Sequence, residues 1–99
     1  MLSAVGLCRR AGGLTIGFDA CCAAVRKGAP LVIIASDAAP RTVRNIRRQC
    51  ADKTKILYAD RTREQFAEVT GKLMAVAAVT NENFARLIEK SADKGRGTE

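Results

Sequence analysis

Lysine and arginine are the most numerous side chains in this sequence that could do chemistry, and the chemistry open to them is the neutralisation of anions. They are unevenly distributed, because residues 1–50 carry eight Lys/Arg and two Asp/Glu, whereas residues 51–99 carry nine and eight. The first half therefore holds a formal charge of +6 out of a total of +7. Charge segregated in this way favours a polyanionic partner, and the alternative is a solvated basic face that keeps the protein soluble.

Four cysteines and the absence of histidine restrict the other chemistries. The cysteines are Cys8, Cys21, Cys22 and Cys50. They form no C-x-x-C pair, and their spacing does not fit a zinc site. A cysteine nucleophile would have no histidine as its base, and histidine is the commonest general base. We therefore expect small core cysteines in a reducing compartment, and no catalytic residue, metal or cofactor.

Two other patterns are better explained by structure than by catalysis. Gly12 and Gly17 have the spacing of a phosphate-binding loop, but Phe18-Asp19 follows where that loop needs Lys and Ser/Thr. Three aspartates lie next to predicted helix starts, namely Asp19, Asp37 and Asp60. Helix capping is the simpler role for each of them.

The predicted helices and strands alternate along the chain. We predict three helices at residues 2–11, 18–27 and 40–51. A fourth helix runs from the Thr62–Gln65 capping box to Gly71, and a fifth follows a cap at Thr80-Asn81. The predicted strands are at residues 14–16, 31–35, 55–59 and 75–79. This order predicts an α/β fold, a three-layer α-β-α sandwich with a four-stranded mixed sheet. Connections through helices favour parallel neighbours in that sheet, and the short first strand can pair in either direction.

The chain is long enough for one domain, which we place at residues 1–90, followed by a disordered tail at 91–99. With 47% hydrophobic but only 4% aromatic residues, aliphatic and small side chains must fill the core. No apolar run is long enough to span a membrane, and the first charges follow rather than precede the apolar start. We therefore expect a cytoplasmic protein that does not bind membranes.

The predicted helix at 40–51 has one apolar and one basic face. Val43, Ile46 and Cys50 share the first face. The opposite face carries Arg41, Arg44, Arg47 and Arg48. Further basic pairs occur at Arg9-Arg10 and Arg26-Lys27. Each of these groups could neutralise a phosphate, which adds salt-dependent affinity without sequence specificity.

Several segments, in their order and spacing, resemble one known family. They are Leu7 to Gly17, Val25 to Gly28, Leu31 to Pro40, and Gly71-Lys72. Over about residues 2–90 the chain resembles the kink-turn-binding ribosomal-protein family, which includes the archaeal and eukaryotic L-seven-A-e and L-thirty-e proteins, and especially its short bacterial members that are not core ribosomal subunits. The resemblance implies an α-β-α sandwich that binds structured RNA, typically a kink-turn with tandem sheared G·A pairs.

The resemblance also implies which residues contact RNA. The turn and first residues of the second helix enter the major groove in the family, here Gly17, Phe18, Asp19, Ala20 and Ala23. The loop before the last strand encloses a flipped-out base, here with Lys72, Leu73, Met74 and Ala75, and beside it lies the turn Ser36-Asp37-Ala38. To this set we add the basic residues Lys27, Arg41, Arg44 and Arg48.

The sequence departs from the family at three of these positions. Kink-turn binders have Asn-Glu or Lys-Gln where this chain has Asp19-Ala20, and a lysine where it has Ala23. Our leading hypothesis is a monomeric protein that binds structured RNA, kink-turn or rRNA-like, in ribosome or RNA metabolism. The alternatives are a nonspecific RNA binder that uses the arginine-rich helix, and a protein-interaction module that kept the fold.

Overall fold

A computed structural model describes residues 1–51 and 53–96 of the protein, with side chains as far as Ser91. The helices are α1 (Leu2–Arg10), α2 (Phe18–Arg26), α3 (Pro40–Cys50), α4 (Arg63–Thr70) and α5 (Glu82–Arg96). The strands are β1 (Leu14–Ile16), β2 (Leu31–Ile34), β3 (Lys55–Tyr58) and β4 (Val76–Val79). The last helix extends beyond the end expected at residue 90, and residues 97–99 of the predicted tail lie outside the described residues.

The strands form one mixed sheet in the order β1-β4-β2-β3. This confirms the predicted four-stranded mixed sheet. The expectation of parallel neighbours is met only by β2 and β3, because β4 is antiparallel to both β1 and β2. The reason is that the chain returns after α4 to the end of the sheet where β2 finishes, so that Ala35 N donates to Ala75 O at 2.8 Å.

Helices cover both faces of the sheet. Successive side chains of β2 point to opposite faces, as the pleat of a strand requires. Leu31 and Ile33 belong to the core packed by α1, α4 and α5, whereas Val32 and Ile34 belong to the core packed by α2 and α3. All four side chains are buried, so β2 is a central strand covered on both faces.

Local capping signals identified two helix caps and assigned a third to the wrong residue. Thr62 and Gln65 form the predicted capping box of α4, and the Asn81 side chain accepts hydrogen bonds from the first turn of α5. The second helix starts at Phe18, as predicted, but Asp19 does not cap it. Gly17 occupies the N-cap position, so that Asp19 falls inside the first turn, where it is exposed.

All four cysteines are buried, free thiols, which confirms the core positions expected for Cys8, Cys21 and Cys50. Burial raises the pKa of Cys8 to about 11, and burial together with neighbouring thiols raises the pKa of Cys21 to about 12. Both thiols are therefore protonated near neutral pH, which makes them poor nucleophiles. Within residues 1–51 and 53–96 there is no cluster of side chains that could hold a metal ion, and no helix is long and apolar enough to cross a membrane.

Candidate functional site

Three chain segments meet at one end of the sheet. Gly17 N donates to Val76 O at 3.1 Å, which joins the turn before α2 to the start of β4. The bond from Ala35 to Ala75 joins the end of β2 to the same loop. We call this end, formed by residues 17–20, 36–38 and 72–75, the loop edge. It brings together the three segments that the sequence analysis assigned to RNA binding.

The start of α2 at the loop edge depends on a glycine. Gly17 has a backbone φ of 110°, which residues other than glycine rarely adopt. The space around it is open, because no neighbouring atom lies within 4 Å of the position that a Cβ would take. No side chain caps the helix. The first-turn N–H groups of α2 therefore have neither a partner within the helix nor a side-chain cap, and such groups attract phosphate oxygens.

The turn at 36–38 is held by an ion pair. Asp37 Oδ1 accepts a 2.8 Å hydrogen bond from Arg63 N, and Arg63 Nε lies 3.3 Å from Asp37 Oδ2. The Arg63 backbone N–H, more than its guanidinium, holds the pKa of Asp37 below its usual value. Both oxygens of this carboxylate are engaged, so it does not present an unpaired negative charge at the loop edge.

The loop before β4 places consecutive side chains in opposite environments. The buried Thr70 hydroxyl lies 3.0 Å from the Phe66 carbonyl and 2.9 Å from the Lys72 carbonyl, which fixes the beginning of the loop. Leu73 is 60% exposed, whereas Met74 is fully buried in the core. Met74 is therefore wrong as a side chain that contacts RNA, and its role is to anchor the loop.

A shallow cleft of about 450 Å³ runs along α2. It is lined by Thr15, Ala20, Ala23, Ala24, Lys27, Gly28, Ala29 and Thr80. Ala20, Ala23 and Lys27 follow one another on a single stripe of the helix, as residues three and four apart do. The small side chains of these alanines leave the α2 cleft open.

The arginines of α3 do not all belong to the loop edge. All four are exposed, which confirms the predicted basic face, while Ile46 and Cys50 are buried against α2 and the sheet. No carboxylate of the described residues forms an ion pair with them. Arg41 lies in the first turn of α3, next to the loop edge, but Arg48 lies seven residues further along, about 10 Å away along the helix axis.

Sequence reasoning missed an aromatic residue at the end of β3 and basic residues that follow this strand. Ala59 N donates to Ile34 O, and the Arg61 carbonyl accepts a hydrogen bond from Ser36 N at 2.8 Å. The segment from Tyr58 to Arg63 therefore borders the loop edge, and Tyr58 is 48% exposed. The expected parallel pairing of β2 and β3 could have predicted this contact, because the carboxyl ends of parallel strands lie at the same end of the sheet.

This architecture defines an α-β-α protein whose loops converge beside the N-terminus of its second helix. The chain belongs to the ribosomal protein L7Ae/L30e/S12e/Gadd45 family, whose model matches residues 1–89. This confirms the resemblance stated from the sequence.

Two solved structures are similar to the chain over nearly its whole length. A protein with unknown function from Bacillus halodurans C is 28% identical, with a TM-score of 0.85 over 93% of this chain and 95% of that one. The Giardia lamblia 15.5kD RNA binding protein is 21% identical and has the same fold, with a TM-score of 0.75 over 94% of this chain and 82% of that one. Among curated protein sequences no significant match is found.

Proposed function

We propose that the protein binds structured RNA at the loop edge and along the α2 cleft, without catalysis. The observation that carries this proposal is the convergence of the uncapped α2 N-terminus, the 36–38 turn and the 72–75 loop, joined by the Gly17–Val76 and Ala35–Ala75 hydrogen bonds. Family membership and the fold shared with an RNA binding protein support RNA as the partner. The proposed setting is RNA or ribosome metabolism in the cytoplasm, and the proposed state is a monomer.

The groups at the loop edge suit an unstacked nucleotide. Phe18 and Leu73 are exposed apolar side chains on two of the converging segments, and they can pack against a splayed base. Lys72 beside Leu73 and Arg41 at the start of α3 are exposed cations that can contact the adjoining phosphates. The N–H groups of the first turn of α2 supply a further phosphate site.

We further propose that the preferred RNA is a kink-turn with sheared G·A pairs. Asp19 is exposed in the first turn of α2, where its carboxylate can accept hydrogen bonds from guanine amino groups. Ala20 and Ala23 leave room for a groove edge to approach the α2 backbone closely. The missing lysine at Ala23 lowers the affinity that we expect, but it leaves the approach to the cleft open.

A direct titration tests this proposal. A kink-turn RNA should bind more tightly than a control RNA of the same length and composition whose G·A pairs are replaced by Watson–Crick pairs. We expect a difference of about tenfold or more, because one good base contact is worth on the order of 1–3 kcal/mol. Equal affinity for the two RNAs would reject kink-turn recognition.

A second candidate function is nonspecific RNA binding through α3. The observation that favours it is the set of four exposed arginines without an ion-pair partner among the described residues. Under this alternative, Arg44→Gln with Arg48→Gln should weaken binding to kink-turn and control RNA equally. A partner protein retained after nuclease treatment would instead favour a protein-interaction role.

A further inference from the structure

The end of the sheet opposite the loop edge gathers the C-termini of three helices. Leu14, Leu31 and Lys55, which begin β1, β2 and β3, lie in one row across the sheet together with Val79, which ends β4. Each of these three strands is preceded by a helix, so α1, α2 and α3 all end at this row. Short hydrogen-bonded turns make the connection, such as Gly13 N to Cys8 O at 2.9 Å and Ala29 N to Ala24 O at 3.0 Å.

This end is rich in exposed cations. The helix ends and the turn after α3 contribute Arg9, Arg10, Arg26, Arg47, Arg48 and Lys53, all exposed. We call these six residues the basic end. The first two come from the helix layer on one face of the sheet, and the rest come from the layer on the other face.

The acidic side chains described near this end are already paired. Glu89 lies 2.6 Å from Lys55 Nζ, and Glu82 lies 3.8 Å from Arg86. None of the six cations of the basic end takes part in an ion pair within the described residues. Among the described residues these charges are not compensated by ion pairs, so they are available to an external anion.

Compensation of helix dipoles explains only part of this charge. A helix C-terminus favours a nearby cation, typically by about 0.3–1 kcal/mol. However, α1 and α3 each carry two arginines in the last turn, and Lys53 follows the end of α3. The four strands of the row span about 14 Å, so these cations cover a surface as wide as several successive phosphates of a nucleic acid.

We infer that the basic end is a second RNA-binding surface, which contacts the phosphate backbone of an RNA segment other than the one at the loop edge. The loop edge and the basic end lie at opposite ends of α2, a nine-residue helix about 13 Å long. Under this inference the protein bridges two RNA segments, one held by its converging loops and one held by charge. This inference rests on the proposed function for the class of ligand.

A pair of variants with the same charge tests the inference. The basic-end variant is Arg10→Gln with Arg47→Gln, which removes one cation from each helix layer. Its matched control is Arg86→Gln with Lys90→Gln, which removes the same charge from exposed positions on α5. Each protein is titrated with a kink-turn RNA and with a regular RNA duplex that lacks G·A pairs, over a range of salt concentrations.

The basic-end variant should bind the duplex about tenfold more weakly than wild type does. Its plot of the logarithm of the binding constant against the logarithm of the salt concentration should be less steep by about 1.5. It should bind the kink-turn RNA like the control variant. Wild-type protein mixed with both RNAs should form a complex of one protein and two RNAs, measured by sedimentation. The basic-end variant should lose this complex, and the control should keep it.

Three results would overturn the inference. The first is competition between the duplex and the kink-turn RNA for a single site. The second is equal duplex binding by the basic-end variant and the control. The third is a lower melting temperature of the basic-end variant with unchanged duplex binding, which would limit these arginines to helix stabilisation.

Failure of the proposed function gives a different result. Equal binding of kink-turn and G·A-disrupted RNA would reject kink-turn recognition, while a weaker duplex complex with the basic-end variant would still support the second surface.

Discussion

Asp37 and Arg63, 26 residues apart in the sequence, are joined by a 2.8 Å hydrogen bond from the backbone N–H of the arginine and by a 3.3 Å ion pair. This contact ties the turn after β2 to the first turn of α4. An aspartate adjoining a phosphate-binding edge would repel the ligand if its charge were free. Here the same carboxylate is compensated and serves to position the loop edge.

Asp37 should stabilise the fold in a pH-dependent manner. Its pKa is lowered in the folded protein, so its contribution is present above the usual aspartate pKa and is lost as the pH falls through the folded value. Wild type should therefore exceed Asp37→Asn in free energy of unfolding at neutral pH, and the difference should vanish in acid. Denaturant titrations at both pH values measure this, with Asp60→Asn as an exposed control. A difference that persists in acid would contradict the ionic origin.

Gly17→Ala should impair both stability and RNA binding. Its φ of 110° is strained for any side chain, so we expect a loss of about 1–3 kcal/mol and a displaced start of α2. Gly12→Ala is the matched control, because Gly12 has φ of 78° and similar open space after the end of α1, outside the cleft and the loop edge. Both variants should melt at lower temperature, but only Gly17→Ala should bind kink-turn RNA more weakly under conditions where both remain folded. Equal RNA binding by the two would count against the loop edge.

Leu73→Ser should weaken kink-turn binding without affecting stability. The side chain is 60% exposed, so its removal opens no cavity, but a packed base would lose apolar contact worth about tenfold in affinity. Leu7→Ser, at a similarly exposed position on α1, is the control. Titration with kink-turn RNA and thermal unfolding of both variants provide the measurements. Binding that is unchanged in Leu73→Ser would exclude this leucine from the interface.

Ala23→Lys should raise the preference for kink-turn RNA. Ala23 lines the open α2 cleft, so a lysine fits there without repacking, and it restores the cation that the related kink-turn binders carry. We expect the affinity ratio between kink-turn and G·A-disrupted RNA to rise by about tenfold. Ala11→Lys adds the same charge at an exposed position outside the cleft, and it should leave the ratio unchanged. A similar ratio in both variants would indicate that only net charge matters.

The cysteines should react only when the protein unfolds. Burial raises the pKa of Cys8 to about 11 and of Cys21 to about 12, whereas an ordinary thiol has a pKa of 9.0. Thiol-specific reagents at mildly alkaline pH should therefore modify the native protein much more slowly than the denatured chain. Since unfolded thiols ionise first, the free energy of unfolding should also fall as the pH rises above 9.0. Rapid labelling of the native protein would contradict this burial.

Local patterns were sufficient for most of the fold and for part of the site. The Thr62–Gln65 capping box and strand β2 depend on residues only a few positions apart, and both were predicted. The burial of Met74 beside the exposed Leu73 could not be predicted, because loops have no periodicity that assigns side chains to the core. The N-cap of α2 was misplaced because the choice of Gly17 over Asp19 depends on a positive φ that the sequence does not reveal.

The sequence by itself determined the alternating elements, the buried thiols and the excess of positive charge in the first half of the chain. Only the tertiary structure decided how that charge is divided. The pairing of residues such as Leu14 with Val79 brings helix N-termini and loops to one end of the sheet, and arginine-bearing helix C-termini to the other. A charge count is a sum over the chain, and a hydrophobic period depends only on residues close together in sequence. The contact of distant segments depends instead on the order and direction of the strands, and here β4 runs antiparallel between β1 and β2.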